Sequence, residues 1–116
     1  MTVKRIVANI ASEQVNTRHA FYGDILGMKV VMDLGWILTF ASEGSVAPQV
    51  SVATEGGSGA PVPDLSIEVD NLEQVYERVL AARLPIEYGP ASEPWGVRRF
   101  FVRDPFGRLL NILVHA

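Results

Sequence analysis

Residues 65–73 read LSIEVDNLE, and this stretch decides the fold. Apolar and polar side chains alternate over residues 65–69, which is the period-two pattern of a strand with one buried face. Asp70 then stands three residues before Glu73, the spacing of a capping box at the start of a helix. We therefore expect a strand that runs directly into a helix over residues 71–82.

The segments on either side complete an arrangement that occurs twice along the chain. Helical spacing of apolar residues predicts another helix over residues 15–26, and Gly27 stands in the C′ position where a glycine commonly ends a helix. Alternating or apolar-rich runs predict the remaining strands at residues 3–10, 29–33, 36–41, 48–54, 86–88, 98–103 and 109–115. The chain therefore follows the order β-α-β-β-β two times.

This internal duplication defines the expected domain organisation. We expect one domain, residues 1–116, with a first unit at 1–55, a linker at 56–63 and a second unit at 64–116. The linker contains three glycines and two prolines. A single unit has one helix and covers only one face of its sheet, so two units must combine, within the chain or across a dimer.

Composition excludes several classes of protein. The 116 residues are 48% hydrophobic and 20% charged, with a net charge of −3 and no basic run of five or more residues, so nucleic acid is a poor partner. The longest stretch without a charged residue has eleven residues, whereas a membrane span needs about twenty. The sequence has no cysteine, which excludes disulfides and thiolate sites. We therefore expect a cytoplasmic protein without membrane or nucleic-acid partners.

Four short motifs in order resemble the vicinal oxygen chelate superfamily, which includes glyoxalase I, extradiol dioxygenases, fosfomycin-modifying enzymes and bleomycin-binding resistance proteins. The motifs are FYGDILGM at 21–28, EVDN at 68–71, PWG at 94–96 and VRDPFGR at 102–108. Phe106 departs from the family pattern, which has an acidic or polar residue there. The resemblance implies an α+β fold in which two βαβββ units form an eight-stranded, partly closed mixed sheet around a cavity, with the helices outside.

Strand alternation separates two faces of that sheet. The set expected under the helices is apolar: Ile6, Ala8, Ile10, Val50, Val52, Leu65, Ile67, Val69, Leu110, Ile112 and Val114. The opposite set, expected toward the cavity, is more polar: Val7, Asn9, Gln49, Ser51, Asp64, Ser66, Glu68, Leu109, Asn111 and Leu113. Aligning Gly44 with Gly107 matches Trp36, Leu38 and Phe40 with Arg99, Phe101 and Arg103.

The resemblance also implies four positions for metal ligands, one on the first and one on the fourth strand of each unit. Those positions carry Val7, Ser51, Asp64 and Asn111, of which only Asp64 is a good ligand. The histidines are expected elsewhere, His19 on the first helix and His115 at the end of the last strand. The sequence thus predicts no metal and no other cofactor.

The remaining candidates suit a small-molecule site. Trp95 follows a proline in an irregular segment, where a large aromatic suits ligand contact better than core packing. Asp64 and Glu68 are expected to be solvated, to pair with Arg99 or Arg103 across the cavity, to touch ligand or, if buried, to act as a base. Arg99 is also a candidate for an anionic group. The candidate ligand contacts are Asn9, Trp36, Leu38, Ser51, Asp64, Ser66, Glu68, Trp95, Arg99, Phe101 and Asn111.

Three functional hypotheses follow. The favoured one is a metal-independent homodimeric binding protein of the bleomycin-resistance type, which sequesters an antibiotic or another aromatic compound. The second is an enzyme, namely a lyase, isomerase or dioxygenase that acts on a small molecule in the same cavity. The third is a subunit or regulatory module whose polar face binds nothing small.

Overall fold

The computed structural model describes residues 1–13, 20–44 and 48–116. Within these ranges the strands are β1 (Val3–Ala11), β2 (Lys29–Asp33), β3 (Ile37–Ala41), β4 (Gln49–Ala53), β5 (Leu65–Val69), β6 (Ile86–Ser92), β7 (Val97–Arg103) and β8 (Leu109–His115). A π-helical segment covers Ala20–Ile25, and helix α1 covers Leu72–Ala81. The first half of the helix predicted at 15–26, including His19, lies outside the described residues. None of the described helices is long and apolar enough to cross a membrane.

The eight described strands form one hydrogen-bonded sheet in the order β2-β3-β4-β1-β5-β8-β7-β6. The pairs β1–β4 and β5–β8 are parallel. The pairs β2–β3, β3–β4, β6–β7 and β7–β8 are antiparallel. The predicted α+β fold with an eight-stranded mixed sheet is therefore confirmed, and β2 and β6 are its edge strands.

The chain divides into two compact units. The N-terminal unit is Val7–Val62, and the C-terminal unit combines Met1–Ile6 with Pro63–Ala116. Strand β1 therefore belongs to both, since its first residues are part of the C-terminal unit. The backbone N–H of Thr2 donates to the carboxylate of Asp70 at 2.8 Å, and the Asp70 N–H donates back to the Thr2 carbonyl at 3.1 Å.

Helix α1 covers the core of the C-terminal unit. Phe100 is fully buried at its centre, and the Tyr76 ring from the helix meets the Phe100 ring edge-on with centroids 5.4 Å apart. The other members are Ile67, Val69, Leu72, Val75, Val79, Ile86, Val102, Leu110, Ile112 and Val114. The strand residues expected to pack under this helix at positions 67, 69, 110, 112 and 114 are confirmed on its face.

The core of the N-terminal unit corrects the alignment of the two repeats. Leu38 and Phe40 pair with Val52 and Val50, just as Phe100 and Val102 pair with Ile112 and Leu110. Leu38 therefore corresponds to Phe100, and the match of Leu38 with Phe101 was wrong by one residue. The reason is the length of the connection. Phe40 and Val50 are ten positions apart along the chain, whereas Val102 and Leu110 are only eight positions apart, so the loop glycines are not equivalent.

The helix cap differs in detail from the prediction. Asn71 is the N-cap of α1, and its side-chain oxygen accepts from the Gln74 N–H at 3.1 Å. The capping box of Asp70 and Glu73 was wrong because the Asp70 carboxylate is bonded to Thr2 instead. An Asn one residue later satisfies the free N–H groups of the first turn equally well, so the helix itself forms as expected.

Glycines are important in two places, at the end of the π-helical segment and in the turns after β4. Gly27 follows the π-helical segment with φ +72°, and the Met28 N–H bonds to the Tyr22 carbonyl at 2.9 Å, which supports the predicted C′ role. The segment 56–63, expected as a linker, is folded into closed turns. The Gly56 N–H donates to the Ala60 carbonyl at 2.7 Å, and a β-carbon at Gly56 would collide with the Pro61 carbonyl.

Candidate functional site

The face of the C-terminal unit opposite α1 carries seven of the eleven predicted site residues. Asn111 pairs with Ser66 on β5 and with Phe101 on β7, so the three side chains lie on one face. Arg99 and Glu68 share this face through their common neighbour Leu113. We call this surface, with Trp95 from the preceding turn, the polar face; its predicted members are Asp64, Ser66, Glu68, Trp95, Arg99, Phe101 and Asn111.

Arg99 is the most deeply enclosed charge on the polar face. Its Nη2 lies 2.7 Å from Glu93 Oε2, and the two side chains are only 3% and 5% exposed. The guanidinium carbon lies 5.1, 5.0 and 4.9 Å from the ring centroids of Tyr88, Trp95 and Phe101. Three rings and one carboxylate offset the cost of removing this cation from water. We call these five residues the arginine box.

A hairpin turn brings Glu93 to Arg99. The Glu93 N–H donates to the Val97 carbonyl at 2.8 Å, and the Gly96 N–H donates to the Glu93 carbonyl at 3.1 Å. This places Trp95 at the tip of the turn, half-buried against the guanidinium. The Tyr88 hydroxyl donates to both Glu93 oxygens at 3.1 and 3.2 Å, which holds the carboxylate in place.

Asn111 lies beside the arginine box. Its Nδ2 donates to Ser66 Oγ at 3.1 Å, and the residue is 7% exposed. Among the described residues, its Oδ1 is buried and has no hydrogen-bond partner. A buried acceptor without a donor is unusual in folded proteins, because leaving it unpaired costs about 1–3 kcal/mol.

The partners expected for the acidic residues were wrong. Asp64 Oδ2 accepts the backbone N–H of Leu109 at 3.0 Å and thereby ties the start of β8 to the strand beside it. Arg103 Nε lies 2.8 Å from Glu87 Oε2, so it is not a partner of Asp64 or Glu68. These carboxylates are engaged by other groups of the fold.

Glu68 is paired at the end of β5 with three basic side chains. Its oxygens lie 3.1 Å from Arg5 Nε, 2.8 Å from His115 Nδ1 and 3.9 Å from Lys4 Nζ. Burial by itself raises the pKa of Glu68, but the His115 hydrogen bond and the nearby charges outweigh it, so the pKa lies below the ordinary 4.5. A carboxylate held ionised in this way is a poor general base at neutral pH.

The candidates in the N-terminal unit are divided between the two faces of its strands. Ser51 pairs with Asn9 on β1 and with Thr39 on β3, and the Ser51 and Thr39 hydroxyls are 2.7 Å apart. Leu38 lies on the opposite face, buried in the core with Phe40 and Val52. Trp36 precedes β3, is half-buried, and its carbonyl accepts the Thr54 N–H at 2.9 Å.

The residues at the four implied ligand positions do not fit a metal ion. Val7 is a buried aliphatic side chain, and the Ser51 hydroxyl already shares a hydrogen bond with Thr39. The remaining two positions hold Asp64, bonded to a backbone N–H, and Asn111, bonded to Ser66. No group of three or more histidine, aspartate and glutamate side chains in the described ranges is arranged to bind a metal.

Two residues that complete the polar clusters, Glu93 and Thr39, were not among the predicted site residues. Glu93 received no role, although a carboxylate six positions before Arg99, across a turn-forming Pro-Trp-Gly, was a usable signal of a hairpin ion pair. Thr39 was missed because the one-residue error in the repeat alignment put it on the wrong face.

Comparison with known proteins places the chain in a family. A family model described as Glyoxalase/Bleomycin resistance protein/Dioxygenase superfamily matches residues 6–112. A search of curated proteins gave no significant match.

Solved structures share the fold at low sequence identity. A glyoxalase/bleomycin resistance protein/dioxygenase superfamily member from Vibrio splendidus 12B01 has a TM-score of 0.68 at 21% identity, covering 99% of this chain and 100% of that one. Methylmalonyl-CoA epimerase from Mycobacterium tuberculosis has a TM-score of 0.65 at 18% identity, covering 98% and 87%. A structure described as NAD-dependent benzaldehyde dehydrogenase from Legionella pneumophila has a TM-score of 0.75 at 13% identity, covering 97% and 100%. At such identities the likeness concerns the fold alone.

Proposed function

The chain belongs to the glyoxalase/bleomycin resistance protein/dioxygenase superfamily, and we propose that it is a metal-independent member that binds a small molecule on its polar face. The observation that carries this proposal is the set of side chains at the implied ligand positions. An aliphatic residue, an internally bonded hydroxyl, a backbone-bonded carboxylate and an amide replace a metal-binding set.

Aromatic and polar groups on the polar face support binding. Trp95 is held against Arg99 and is half-buried, so part of its ring remains accessible beside the buried Phe101. Small-molecule sites combine aromatic surface with a few placed polar groups, and Ser66 and Asn111 are such groups. Sequestration of an antibiotic or another aromatic compound is the activity that suits these residues.

Metal content tests the first part of the proposal. Protein purified without chelator, then analysed by plasma mass spectrometry and titrated with Zn²⁺ and Mn²⁺, is expected to hold far less than one equivalent. A full equivalent that is lost in Asp64→Ala but kept in Glu43→Ala, a change at an exposed carboxylate, contradicts metal independence. That result favours a lyase, isomerase or dioxygenase instead.

Tryptophan fluorescence tests ligand binding. In Trp36→Phe the emission comes from Trp95 alone, and we expect a saturable response to a member of a panel of aromatic and bleomycin-like compounds. Trp95→Ala is expected to weaken binding of the same compound about tenfold through loss of ring contact. No response to any compound contradicts the proposed function.

The proposal includes a cytoplasmic homodimer. Large apolar side chains are exposed in the N-terminal unit at Phe21, Ile25, Leu26 and Val31, the last on the edge strand β2. Contiguous exposed apolar surface is typical of a protein contact. Sedimentation velocity is expected to give a dimer that Val31→Lys dissociates, and a monomeric wild-type chain contradicts this part of the proposal.

A further inference from the structure

We propose that the ligand of the polar face is an uncharged planar compound that donates a hydrogen bond to Asn111 Oδ1. This inference rests on the proposed function and adds the chemical class of the ligand. It is carried by the buried Asn111 oxygen and by the neutralisation of Arg99, a buried cation near it.

Asn111 supplies the first observation. The side chain is more than nine-tenths buried, and its Nδ2 donates to Ser66 Oγ at 3.1 Å. Within the described part of the chain no donor reaches Oδ1. A buried carbonyl oxygen gains stability from any N–H or O–H brought to it, and it repels an anion. The group that Asn111 recognises is therefore a hydrogen-bond donor.

Aromatic rings next to Asn111 indicate the shape of the ligand. Phe101 is its direct cross-strand partner, and the Phe101 ring lies 5.1 Å from that of Tyr88 and 4.9 Å from the Arg99 guanidinium. Trp95 lies against the other part of the same guanidinium. Flat faces beside a single acceptor favour a planar ligand that carries its donor at one edge.

Arg99 does not offer its charge to a ligand. Glu93 lies 2.7 Å away, both side chains are almost fully buried, and the Tyr88 hydroxyl bonds to the same carboxylate. An anion that approached Arg99 would have to separate this pair, which leaves Glu93 as a buried and unpaired charge. The sequence suggested that Arg99 meets an anionic group, and Glu93 is such a group, so we expect the site to disfavour an anionic ligand.

Three matched probes test this inference. Benzamide is planar, uncharged and has N–H donors; N,N-dimethylbenzamide has no donor; benzoate is anionic with acceptors only. Binding is followed by ¹H–¹⁵N correlation spectra, which report the Asn111 side-chain amide and the Trp95 indole directly. We expect benzamide to shift both signals and to bind at least about fivefold more tightly than the other two probes, the effect of one hydrogen bond.

Variants assign the preference to Asn111. Asn111→Leu keeps the size of the side chain and removes the acceptor, so the dissociation constants of benzamide and N,N-dimethylbenzamide are expected to fall within twofold of each other. Asn111→Asp keeps the acceptor and is expected to retain the preference for benzamide. Arg98→Ala, an exposed neighbour of the arginine box, is the control and should leave the preference unchanged. Dispersed amide spectra establish that each variant folds.

The outcomes separate the inference from the proposed function. Benzoate binding as tightly as benzamide, tighter binding of N,N-dimethylbenzamide, or binding that leaves the Asn111 signals in place overturns the inference alone. In the last case a bound water completes the hydrogen bond of Asn111. If none of the three probes shifts the Asn111 or Trp95 signals, the inference and the proposed function fail together.

Discussion

The two units have the same strand pairing but different chemistry at equivalent positions. Ser51 in the N-terminal unit and Asn111 in the C-terminal unit each pair with the first strand and the third strand of their repeat. Ser51 faces Thr39, and the two hydroxyls satisfy each other at 2.7 Å. Asn111 faces Phe101, which has no hydrogen-bonding group, so its amide bonds to Ser66 and its oxygen remains without a partner among the described residues.

This difference shows how equivalent positions of one architecture carry a hydrogen-bonding group with an internal partner in one unit and one without in the other. Thr39 and Phe101 occupy equivalent positions in the two units. Thr39 gives Ser51 a hydrogen-bond partner, whereas Phe101 gives Asn111 a flat apolar ring and no such partner. The two hydroxyls of the N-terminal unit bond to each other, whereas the Asn111 oxygen of the C-terminal unit is the acceptor that we propose for a ligand. In this proposal, binding depends on a few cross-strand pairs rather than on the sheet itself.

The largest expected effect comes from the arginine box. Arg99→Ala leaves Glu93 buried without its cation and is expected to lower the free energy of unfolding by about 3–5 kcal/mol. The matched control is Arg98→Ala on the adjacent residue, whose partner Glu73 is 67% exposed, with an expected loss below about 1 kcal/mol. Urea denaturation measures both. Equal losses in the two variants contradict the difference between buried and exposed pairs.

Substitutions at the Ser51–Thr39 hydroxyl pair and at Asn111 are expected to have the next largest effect on the free energy of unfolding. They allow a direct comparison of the two units. Ser51→Ala leaves the Thr39 hydroxyl buried and unpaired, with an expected loss of about 1–3 kcal/mol, and adding Thr39→Val should restore part of it. Asn111→Leu removes an oxygen that is already unpaired together with one hydrogen bond to the half-buried Ser66, so its expected cost is about 1 kcal/mol. Thermal and urea unfolding measure these values. A loss for Asn111→Leu as large as that for Ser51→Ala indicates that the fold itself satisfies Asn111.

Substitution of Glu68 is expected to change the free energy of unfolding least, by an amount that depends on pH. Its pKa is lower in the folded chain than the ordinary 4.5, so the ionised form stabilises the fold fully above that pH. The stabilisation is lost as the pH falls through the folded pKa. Glu68→Gln is therefore expected to cost about 1 kcal/mol at pH 7 and progressively less below pH 4.5.

A matched carboxylate in the N-terminal unit is the control for this titration. Glu43 lies 3.5 Å from Lys29, and both side chains are largely exposed. Glu43→Gln should change the pH dependence of unfolding by no measurable amount. If the difference between wild type and Glu68→Gln stays constant from pH 7 to pH 3, the cluster around Glu68 does not stabilise the ionised form.

The sequence predicted the features that depend on periodicity. Alternation identified the strands, and the apolar residues at 67, 69, 110, 112 and 114 lie under the helix as expected, because a pleated strand must alternate its side chains. The poor fit of the implied ligand positions to a metal could also be predicted from the sequence, since a valine and a serine are poor ligands in any conformation.

Features that depend on loop length and on long-range partners were beyond the sequence. The connection between β3 and β4 is two residues longer than the connection between β7 and β8, and this difference led to the wrong prediction for the face of Leu38. No local sequence signal reveals such a difference. Glu68 has partners at Arg5 and His115, 63 and 47 residues away along the chain. From the sequence alone, several basic side chains are equally suitable partners for this carboxylate. The order of the strands decides which of them lie close to it.

The division of strand β1 between the two units determines how the units can be separated by cleavage. The C-terminal unit consists of two separate segments, Met1–Ile6 and Pro63–Ala116, with the N-terminal unit inserted between them. One cleavage after Val62 keeps the N-terminal unit in one fragment but separates Met1–Ile6 from the rest of the C-terminal unit, so no single cut releases that unit complete. A gene fragment that encodes only residues 63–116 omits Arg5, a partner of Glu68, and Thr2, the partner of Asp70. Recombining either half with a relative's half requires two crossover points instead of one.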